Sequence, residues 1–315
     1  MRYINLKWAK SEDDNQFNFG DDLSPYIINK LSGLEVRYFH FANSRINGIK
    51  QFVHGILHGR FSLKYVSEFL KCFFAKNYLV SIGSILQWYS SERCIVWGSG
   101  IINQTDHISK SNFLAVRGEY TKARIKELGY NAPEIIGDPA LLTPLVYTPA
   151  VKKKYKLGII PHITHYDIIK SKISSPDIKV IKLDNHSVEK IIDDIVSCEY
   201  TISTSLHGII VSHAYNIKSL WFSYNTKPIP GNNVKFLDYF SSVKIPAYAP
   251  FPLSLGRTVD VREIEDLMIQ HDDISHAHID IRDIQRGLIK VAPFPVLEQF
   301  KTDGRAISQT IVKTA

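Results

Sequence analysis

The sequence predicts an α/β protein built from two Rossmann-like domains that face one cleft. Apolar segments of strand length alternate with helical segments along most of the 315 residues, which is typical of parallel sheets covered by helices. The alternation stops at residues 144–156, a stretch with two prolines and a basic run, and then begins again. We therefore place an N-terminal domain at residues 1–148 and a C-terminal domain, with a helical tail, at residues 149–315.

Composition and charge limit the classes of partner. The net charge of +7 favours anionic partners such as phosphorylated metabolites, lipid pyrophosphates or an acidic membrane surface. No nucleic-acid recognition motif occurs, so we expect no nucleic-acid partner. The three cysteines are scattered, the N-terminus does not read as a signal peptide, and no uncharged run approaches the ~20 residues of a spanning helix. We expect a cytoplasmic protein that meets a membrane, if at all, from its inner face.

The first strand, at residues 3–8, leads through a polar loop into a helix. Gly20 opens this helix, Asp22 or Ser24 is expected to cap it, and Gly33 is expected to end it. Loops after strands line the ligand crevice in doubly wound folds. The Gly20 loop is therefore a candidate part of the cleft, and a plain helix cap is the alternative.

Residues 45–77 form a basic segment rich in aromatic residues. Phe61, Tyr65, Phe69 and Phe73 recur about one turn apart, with lysines and an arginine among them, which predicts an amphipathic helix with a cationic face. Such a helix either packs on the sheet or contacts a membrane surface or a lipid acceptor.

Two further strands end in glycine and serine. Gly83 is followed by Ser84, and Ser99 lies between Gly98 and Gly100. Glycine lets a ligand approach the backbone closely, so these turns are candidates for one edge of the cleft. Tight turns without a ligand are the alternative.

Arg117 stands at the carboxyl end of the next strand, before a helix that stops at Gly129. A guanidinium there would point into the crevice and could grip a carboxylate or a phosphate with two parallel hydrogen bonds. The alternative is a structural arginine that pairs with Glu119 or Asp138.

The second half begins with a strand that ends at His162, in the same topological place as the Gly20 loop. His162 and His165 are not expected to bind a metal, because no third ligand lies at a matching spacing.

The segment 198–225 predicts a strand, a turn, a helix and a strand, and the rest of the chain is organised around its turn. His207 and three hydroxyls fall where a parallel strand ends and a helix begins, so an anion would be held beside a titratable base. The helix terminus is expected to lower the pKa of His207, and a bound anion to raise it. The alternative is that hydroxyls merely cap the helix. The three hydroxyl residues are Ser203, Thr204 and Ser205.

Several ordered motifs resemble the polysaccharide pyruvyl transferase family over roughly residues 15–245. They include an N-x-G-D segment, the segments AVRGEYTKARIKELG and GDPALLTP, the turn TSLHG, and a K-F-x-D-Y segment at residues 235–239. One position departs from the family pattern. Many members carry an arginine two residues before the histidine, where this chain has Ser205, so the charge that binds the donor must come from elsewhere.

The resemblance implies transfer of a pyruvyl group from phosphoenolpyruvate to a sugar or a lipid-linked oligosaccharide of a cell-surface glycan, such as an exopolysaccharide or capsule. The product is a cyclic ketal, and no metal or other cofactor is expected. His207 would be the catalytic acid or base. The residues expected to bind phosphoenolpyruvate are Arg117, Ser205, Leu206, Gly208 and Lys235. The residues expected to line the acceptor side of the cleft are Asn18, Gly20, Asp21, Ser84, Ser99 and His162.

The implied architecture is that of GT-B glycosyltransferases, with the acceptor on the N-terminal domain and the donor on the C-terminal domain. Two other functions stay open. A nucleotide-sugar glycosyltransferase would need a carboxylate for the ribose, for which Asp184 is available. A non-catalytic glycan- or lipid-binding protein would use the basic aromatic segment.

Overall fold

A computed structural model describes residues 3–10, 17–41, 43–184, 187–224, 231–253 and 259–301. Residues 225–230 and the end of the tail lie outside the described residues.

The first sheet is formed by six parallel strands, in the spatial order β2-β1-β3-β4-β5-β6. Its strands are β1 (Tyr3–Lys7), β2 (Glu35–Tyr38), β3 (Tyr78–Val80), β4 (Cys94–Trp97), β5 (Asn112–Val116) and β6 (Ile135–Ile136).

The second sheet is formed by five parallel strands, in the order β11-β10-β9-β7-β8. Its strands are β7 (Tyr155–Ile160), β8 (Ile178–Val180), β9 (Cys198–Ser203), β10 (Ser219–Ser223) and β11 (Phe251–Pro252). Two parallel sheets with helical connections confirm the predicted two-part Rossmann-like α/β fold.

Helices connect the strands of both sheets and follow the last strand. The α-helices are α1 (Phe19–Ser32), α2 (Arg45–Leu57), α3 (Leu63–Phe74), α4 (Leu86–Tyr89), α5 (Glu119–Glu127), α6 (Thr143–Val146), α7 (Tyr166–Lys172), α8 (Val188–Val196), α9 (Leu206–Ala214), α10 (Val234–Ser242), α11 (Val261–Gln270), α12 (Asp272–Ser275) and α13 (Ile281–Lys290). Short 3₁₀ helices lie at Pro139–Leu142, Ile163–His165 and Glu298–Phe300. Among the helices of the described residues, none is long and apolar enough to span a bilayer.

Both sheets reverse their strand order at one point, between β1 and β3 in the first and between β7 and β9 in the second. Ligands of open parallel sheets bind outside the carboxyl ends of the strands at such points. Ser84 and His162 lie in the loops that leave β3 and β7, and Gly20 and His207 lie in the first turns of the helices that follow β1 and β9. Gly20 packs directly against the His207 ring, so the carboxyl ends of the two sheets meet there.

The two sheets share a hydrophobic core and are joined by polar contacts. Buried apolar residues of α1 belong to the same cluster as those of α9. The backbone N–H of Phe19 donates to the carbonyl of Leu183 at 2.9 Å. The indole of Trp97 in the first sheet donates to the carbonyl of Leu288 in α13 at 3.0 Å, so the C-terminal helices return to the first sheet. The domain boundary at residue 148 stays a prediction, and these contacts cross it.

One local prediction needs correction. The cap of α1 is Asn18, whose side chain accepts from the Gly20 N–H, and not Asp22 or Ser24. The amphipathic helix predicted in the later half of the basic aromatic segment is confirmed as α3, and a further helix, α2, precedes it. The edge strand β2 was not predicted, because its exposed and half-buried residues lack the continuous apolar run of a central strand.

Gly118 permits a close backbone contact between the two halves. A Cβ at this position would lie 1.7 Å from the carbonyl oxygen of Asp238 in α10. Replacing Gly118 by Ala should therefore force α10 away from α5 and lower the free energy of unfolding by about 1–3 kcal/mol. Urea unfolding measures this change.

The matched control is Gly287→Ala, where the nearest atoms to the new methyl group lie at 3.4 Å. This glycine is inside α13, so alanine should be tolerated or slightly stabilising. Equal unfolding midpoints for the two variants would show that the Gly118 contact does not limit the packing.

Candidate active site

The turn before His207 is held by hydroxyl groups at the end of β9. The Ser203 Oγ donates to the carbonyl of Ile160 at 2.9 Å and accepts from the Ser205 N–H at 3.0 Å. The Thr204 N–H also donates to the Ile160 carbonyl, at 3.1 Å. Gly208 lets α9 approach this strand, because a Cβ there would lie 2.5 Å from the Ser203 Oγ. The turn is therefore rigid and places His207 in the first turn of α9.

The residues at the start of α9, Ser205 and Leu206, leave its first backbone N–H groups without a hydrogen bond to a capping side chain. Ser205 is the N-cap residue, but its side chain makes no capping hydrogen bond. Leu206 is buried in the core. The alternative interpretation, in which hydroxyls merely cap this helix, therefore does not hold for Ser205, and the first amides of α9 have no side-chain acceptor from the N-cap.

His207 is the polar centre of the site. Its ring lies against Gly20, where a Cβ would be 2.2 Å from the Nδ1 atom. Its Nε2 atom is buried and has no hydrogen-bond partner among the described residues. Burial, together with the positive charges of Arg117 and Lys235, lowers the pKa of His207 to about 3. The imidazole is therefore neutral at pH 7.

Arg117 is fully buried, and each of its guanidinium nitrogens has a partner. Nε donates to Asp238 Oδ2 at 3.0 Å, Nη1 to Ser84 Oγ at 2.7 Å, and Nη2 to the carbonyl of Ile101 at 2.7 Å. The carboxylate is not Glu119 or Asp138, which were the expected structural partners. A direct grip of Arg117 on the donor stays a prediction.

Asp238 ties Arg117 to the second half of the chain. It lies in α10, is fully buried, and accepts from both the N–H of Thr121 at 2.8 Å and its Oγ1 at 2.7 Å. Neither Asp238 nor Thr121 was among the predicted site residues. The signal was present in the K-F-x-D-Y spacing, because positions 235 and 238 share one face of a helix.

Lys235 lies one turn before Asp238 on α10 and is partly buried. Burial lowers the pKa of Lys235 to about 8. The positive charge of Arg117 adds to this lowering, and the negative charge of Asp21 opposes it. No salt bridge within 4 Å engages its ammonium group in the part of the chain that the structure describes. Lys235 is thus a cation that an anionic ligand could still neutralise.

Asp21 lies in the first turn of α1, next to Gly20. Burial and the neighbouring Asp22 raise the pKa of Asp21 to about 7, and Lys235 opposes this shift. Asn18 accepts from the Gly20 N–H at 3.2 Å, while its own N–H donates to Asp22 at 3.0 Å. Asn18 is therefore a capping residue, and Asp21 is a carboxylate that titrates near neutral pH.

His162 lies at the end of β7 and close to Lys235. Its backbone N–H donates to the Thr204 Oγ1 at 2.8 Å, which links the two switch-point loops of the second sheet. Burial, then the charge of Lys235 and the ring of His165, lowers the pKa of His162 to about 4.

Ser84 and Ser99 act on the site through other residues. Ser84 accepts from Arg117, and the buried Ser99 donates to the carbonyl of Gly83 at 2.8 Å. Gly83 has a φ of 113°, a conformation that favours glycine. Ser99 thus holds the loop that carries Ser84, and Gly100 leaves room for the Arg117 guanidinium.

Apart from Arg117, the predicted residues thus fall into two groups. His207, Gly20, Asp21, Lys235 and His162 lie together and interact through contacts or charges. The remaining ones support the backbone or hold Arg117: Asn18, Ser84, Ser99, Ser205, Leu206 and Gly208. Among the described residues, no group of three or more histidine, cysteine, aspartate or glutamate side chains is arranged to hold a metal ion.

Comparison with known proteins relates the chain to a family and to a viral protein. A family model described as polysaccharide pyruvyl transferase matches residues 18–226, which is more than half of the chain. Lys235 and Asp238 lie beyond the matched residues. The chain is also similar to an uncharacterised protein of Acanthamoeba polyphaga mimivirus, with 29% identity over 167 residues, or 51% of this chain. The aligned region spans 58% of the length of that relative.

We expect Asp238 to be required for stability, because among the described residues it is the only carboxylate that bonds to Arg117. Asp238→Asn keeps the shape but leaves the buried guanidinium without a counter-charge, so we expect a loss of about 3–5 kcal/mol in the free energy of unfolding. Chemical denaturation checks this value.

Asp272→Asn is the matched control, because Asp272 pairs with Lys218 at 2.6 Å but both side chains are about half exposed. Exposed pairs contribute little, so this variant should unfold like the parent. If Asp238→Asn also unfolds like the parent, the buried pair does not hold the two halves together.

Proposed function

The chain belongs to the polysaccharide pyruvyl transferase family, and on this basis we propose that it transfers a pyruvyl group from phosphoenolpyruvate to two hydroxyls of a sugar, forming a cyclic ketal. The acceptor is a sugar of a cell-surface glycan, free or lipid-linked, such as a capsule or exopolysaccharide unit.

The observation that carries the proposal is the environment of His207. Its buried Nε2 has no partner among the described residues, and it lies beside two cations at a helix N-terminus. A buried polar atom without a partner is costly unless a ligand uses it. A small molecule with several negative charges fits this environment, and phosphoenolpyruvate carries a carboxylate and a phosphate.

Three groups would hold the donor. Lys235 supplies an ammonium with no salt bridge among the described residues, and the first amides of α9 supply hydrogen-bond donors. Arg117 would act on the donor through its positive charge and not through hydrogen bonds, because its nitrogens already bind Asp238, Ser84 and Ile101. Lys235 and Arg117 would thus take the place of the arginine that many family members carry where this chain has Ser205.

The reaction needs one proton to reach carbon. In the first step a sugar oxygen bonds to C2 of phosphoenolpyruvate, its O–H bond breaks, and C3 gains a proton to become a methyl group. In the second step another hydroxyl bonds to C2, the C2–O bond to phosphate breaks, and that hydroxyl proton leaves with the phosphate or a base. The reaction has no net oxidation or reduction, so we propose no redox cofactor. A role for a metal ion is not part of the proposal.

His207 would deliver the proton to C3. Its lowered pKa of about 3 keeps it neutral in the free protein. The negative charges of bound phosphoenolpyruvate oppose the fields of Arg117 and Lys235, which raises the pKa of His207 and charges it when the donor is present. Asp21, with a pKa raised to about 7, would accept a proton from the sugar hydroxyl.

The three cysteines are free and buried, which fits a reducing compartment, so we propose a cytoplasmic enzyme. The nucleotide-sugar alternative keeps one feature in its favour. Asp184, its candidate ribose ligand, pairs with Lys182 through Oδ2 at 3.1 Å, whereas its buried Oδ1 has no hydrogen-bond partner among the described residues. The thermal-shift comparison of phosphoenolpyruvate with nucleotide sugars decides between the two functions.

The proposal predicts that phosphoenolpyruvate, but not UDP-glucose or GDP-mannose, raises the melting temperature. At a hundredfold excess over Kd, ligand binding should add about 2.7 kcal/mol of stability.

His207→Gln keeps the volume of the side chain but cannot transfer a proton. This variant should keep the thermal shift with phosphoenolpyruvate, while phosphate release with a panel of sugar glycosides should fall about a hundredfold or more.

Two results would defeat the proposal. A thermal shift with nucleotide sugars alone would favour a glycosyltransferase. A folded His207→Gln protein that releases phosphate at the parent rate would remove His207 from the chemistry.

A further inference from the structure

Helices α2 and α3 form an antiparallel hairpin on the first sheet. The Arg45 Nε donates to the carbonyl of Phe73 at 3.3 Å, so the start of α2 lies beside the end of α3. The inner faces pack through aromatic rings, with Phe52 stacked on Phe69 at 4.0 Å and Phe69 against the buried Phe41 at 5.3 Å. The inner face alone accounts for the packing of the hairpin.

The outer face of each helix carries exposed apolar side chains at helical spacing. In α2 they recur every three or four residues, and in α3 they follow the same periodicity. Eight of the thirteen large hydrophobic residues that are exposed in the described part of the chain lie between positions 46 and 74. They are Ile46, Ile49, Val53, Leu57, Phe61, Leu63, Leu70 and Phe74.

The exposure of these side chains is high, at 77% for Leu57, 88% for Leu63 and 74% for Phe74. Single exposed apolar residues are ordinary, but a concentration on one element marks a contact surface.

The same hairpin is strongly basic. Residues 45–76 contain six lysines and arginines and one acidic residue, Glu68, whereas the whole chain has a net charge of +7. Glu68 is itself paired with Lys71 at 2.7 Å. Most of the excess positive charge of the protein is therefore on this hairpin. The bend between the helices adds a cavity of about 800 Å³, lined in part by Arg60 and Lys64.

We propose that the α2–α3 hairpin docks on the surface of an anionic lipid bilayer. Apolar side chains in an exposed stripe, with cations around them, are the chemistry of an interfacial helix, in which apolar groups enter the acyl boundary and cations contact anionic headgroups. An acidic protein partner would match the charge but not eight exposed apolar side chains. A second copy of this chain would bring an equally basic surface, so like charges would oppose pairing.

Trp88 supports this assignment. It is half exposed, and its carbonyl accepts from the side chain of Asn43 at 2.6 Å, just before α2 begins. Tryptophan is enriched at membrane–water interfaces, where its ring sits at the level of the headgroups. The proposed surface thus continues from the hairpin onto the neighbouring α4.

The test is co-sedimentation of the full chain with vesicles of phosphatidylcholine alone and with added phosphatidylglycerol. We expect binding to the anionic vesicles, weakened by added sodium chloride. Leu57→Ser/Leu63→Ser and Arg60→Glu/Lys64→Glu should each reduce the partition coefficient by about tenfold or more. Two matched controls change exposed residues outside the hairpin and should bind like the parent. Val151→Ser/Ile269→Ser is the control for the apolar variant, and Lys110→Glu/Lys126→Glu is the control for the charge variant.

Circular dichroism and the phosphoenolpyruvate thermal shift would show that each hairpin variant is folded, because none of the changed residues belongs to the active site. Absence of binding to anionic vesicles, or equal losses in variants and controls, would overturn the proposal. Self-association in sedimentation experiments that the hairpin variants abolish, without vesicle binding, would instead identify an interface between copies. Vesicle binding does not depend on the donor, so this result is separate from that of the proposed function.

Discussion

A fully buried ion pair between Arg117 and Asp238 is the constraint on which the arrangement of the site depends. The two residues are 121 positions apart, and their 3.0 Å contact joins the end of β5 to α10. A buried charge needs a counter-charge, so the Arg117 guanidinium stabilises the position of α10 that brings Asp238 to it. Because Lys235 is one turn earlier on the same helix, the ion pair also brings that ammonium to His207.

Close contacts at glycines complete the arrangement. Gly118 lets the backbone of α10 approach, Gly100 leaves space for the guanidinium, and Gly20 leaves space for the imidazole. A Cβ at any of the three would lie 2.4 Å or less from a neighbouring atom. The site is therefore preorganised by packing before a ligand arrives, as catalysis by fixed charges requires. The cost is a buried histidine nitrogen with no hydrogen-bond partner among the described residues.

The sequence predicted the local structure around His207 well, because that structure depends on short-range signals. The strand was expected at residues 200–203 and the helix at 207–215, and they lie at Cys198–Ser203 and Leu206–Ala214. Periodicity and turn chemistry act over a few residues, which is why they can be read from one chain.

Long-range partners were not predictable from spacing. Asp238 was quoted as part of a motif, yet nothing in the sequence pairs it with Arg117, and the contact of Gly20 with His207 joins opposite halves of the chain. The cause of the lowered His207 pKa was also different from the expected one. Burial and two cations account for it, and those cations become neighbours only through the tertiary fold.

The charge state of His207 is the central claim, and nuclear magnetic resonance of the ¹⁵N-labelled imidazole tests it most directly. The His207→Gln spectrum assigns the signal, and the titration is recorded for the free protein and with phosphoenolpyruvate. We predict an imidazole that stays neutral until about pH 3 in the free protein and gains a proton at clearly higher pH with the donor bound. A His207 that titrates near its ordinary pKa and does not respond to phosphoenolpyruvate would contradict the account.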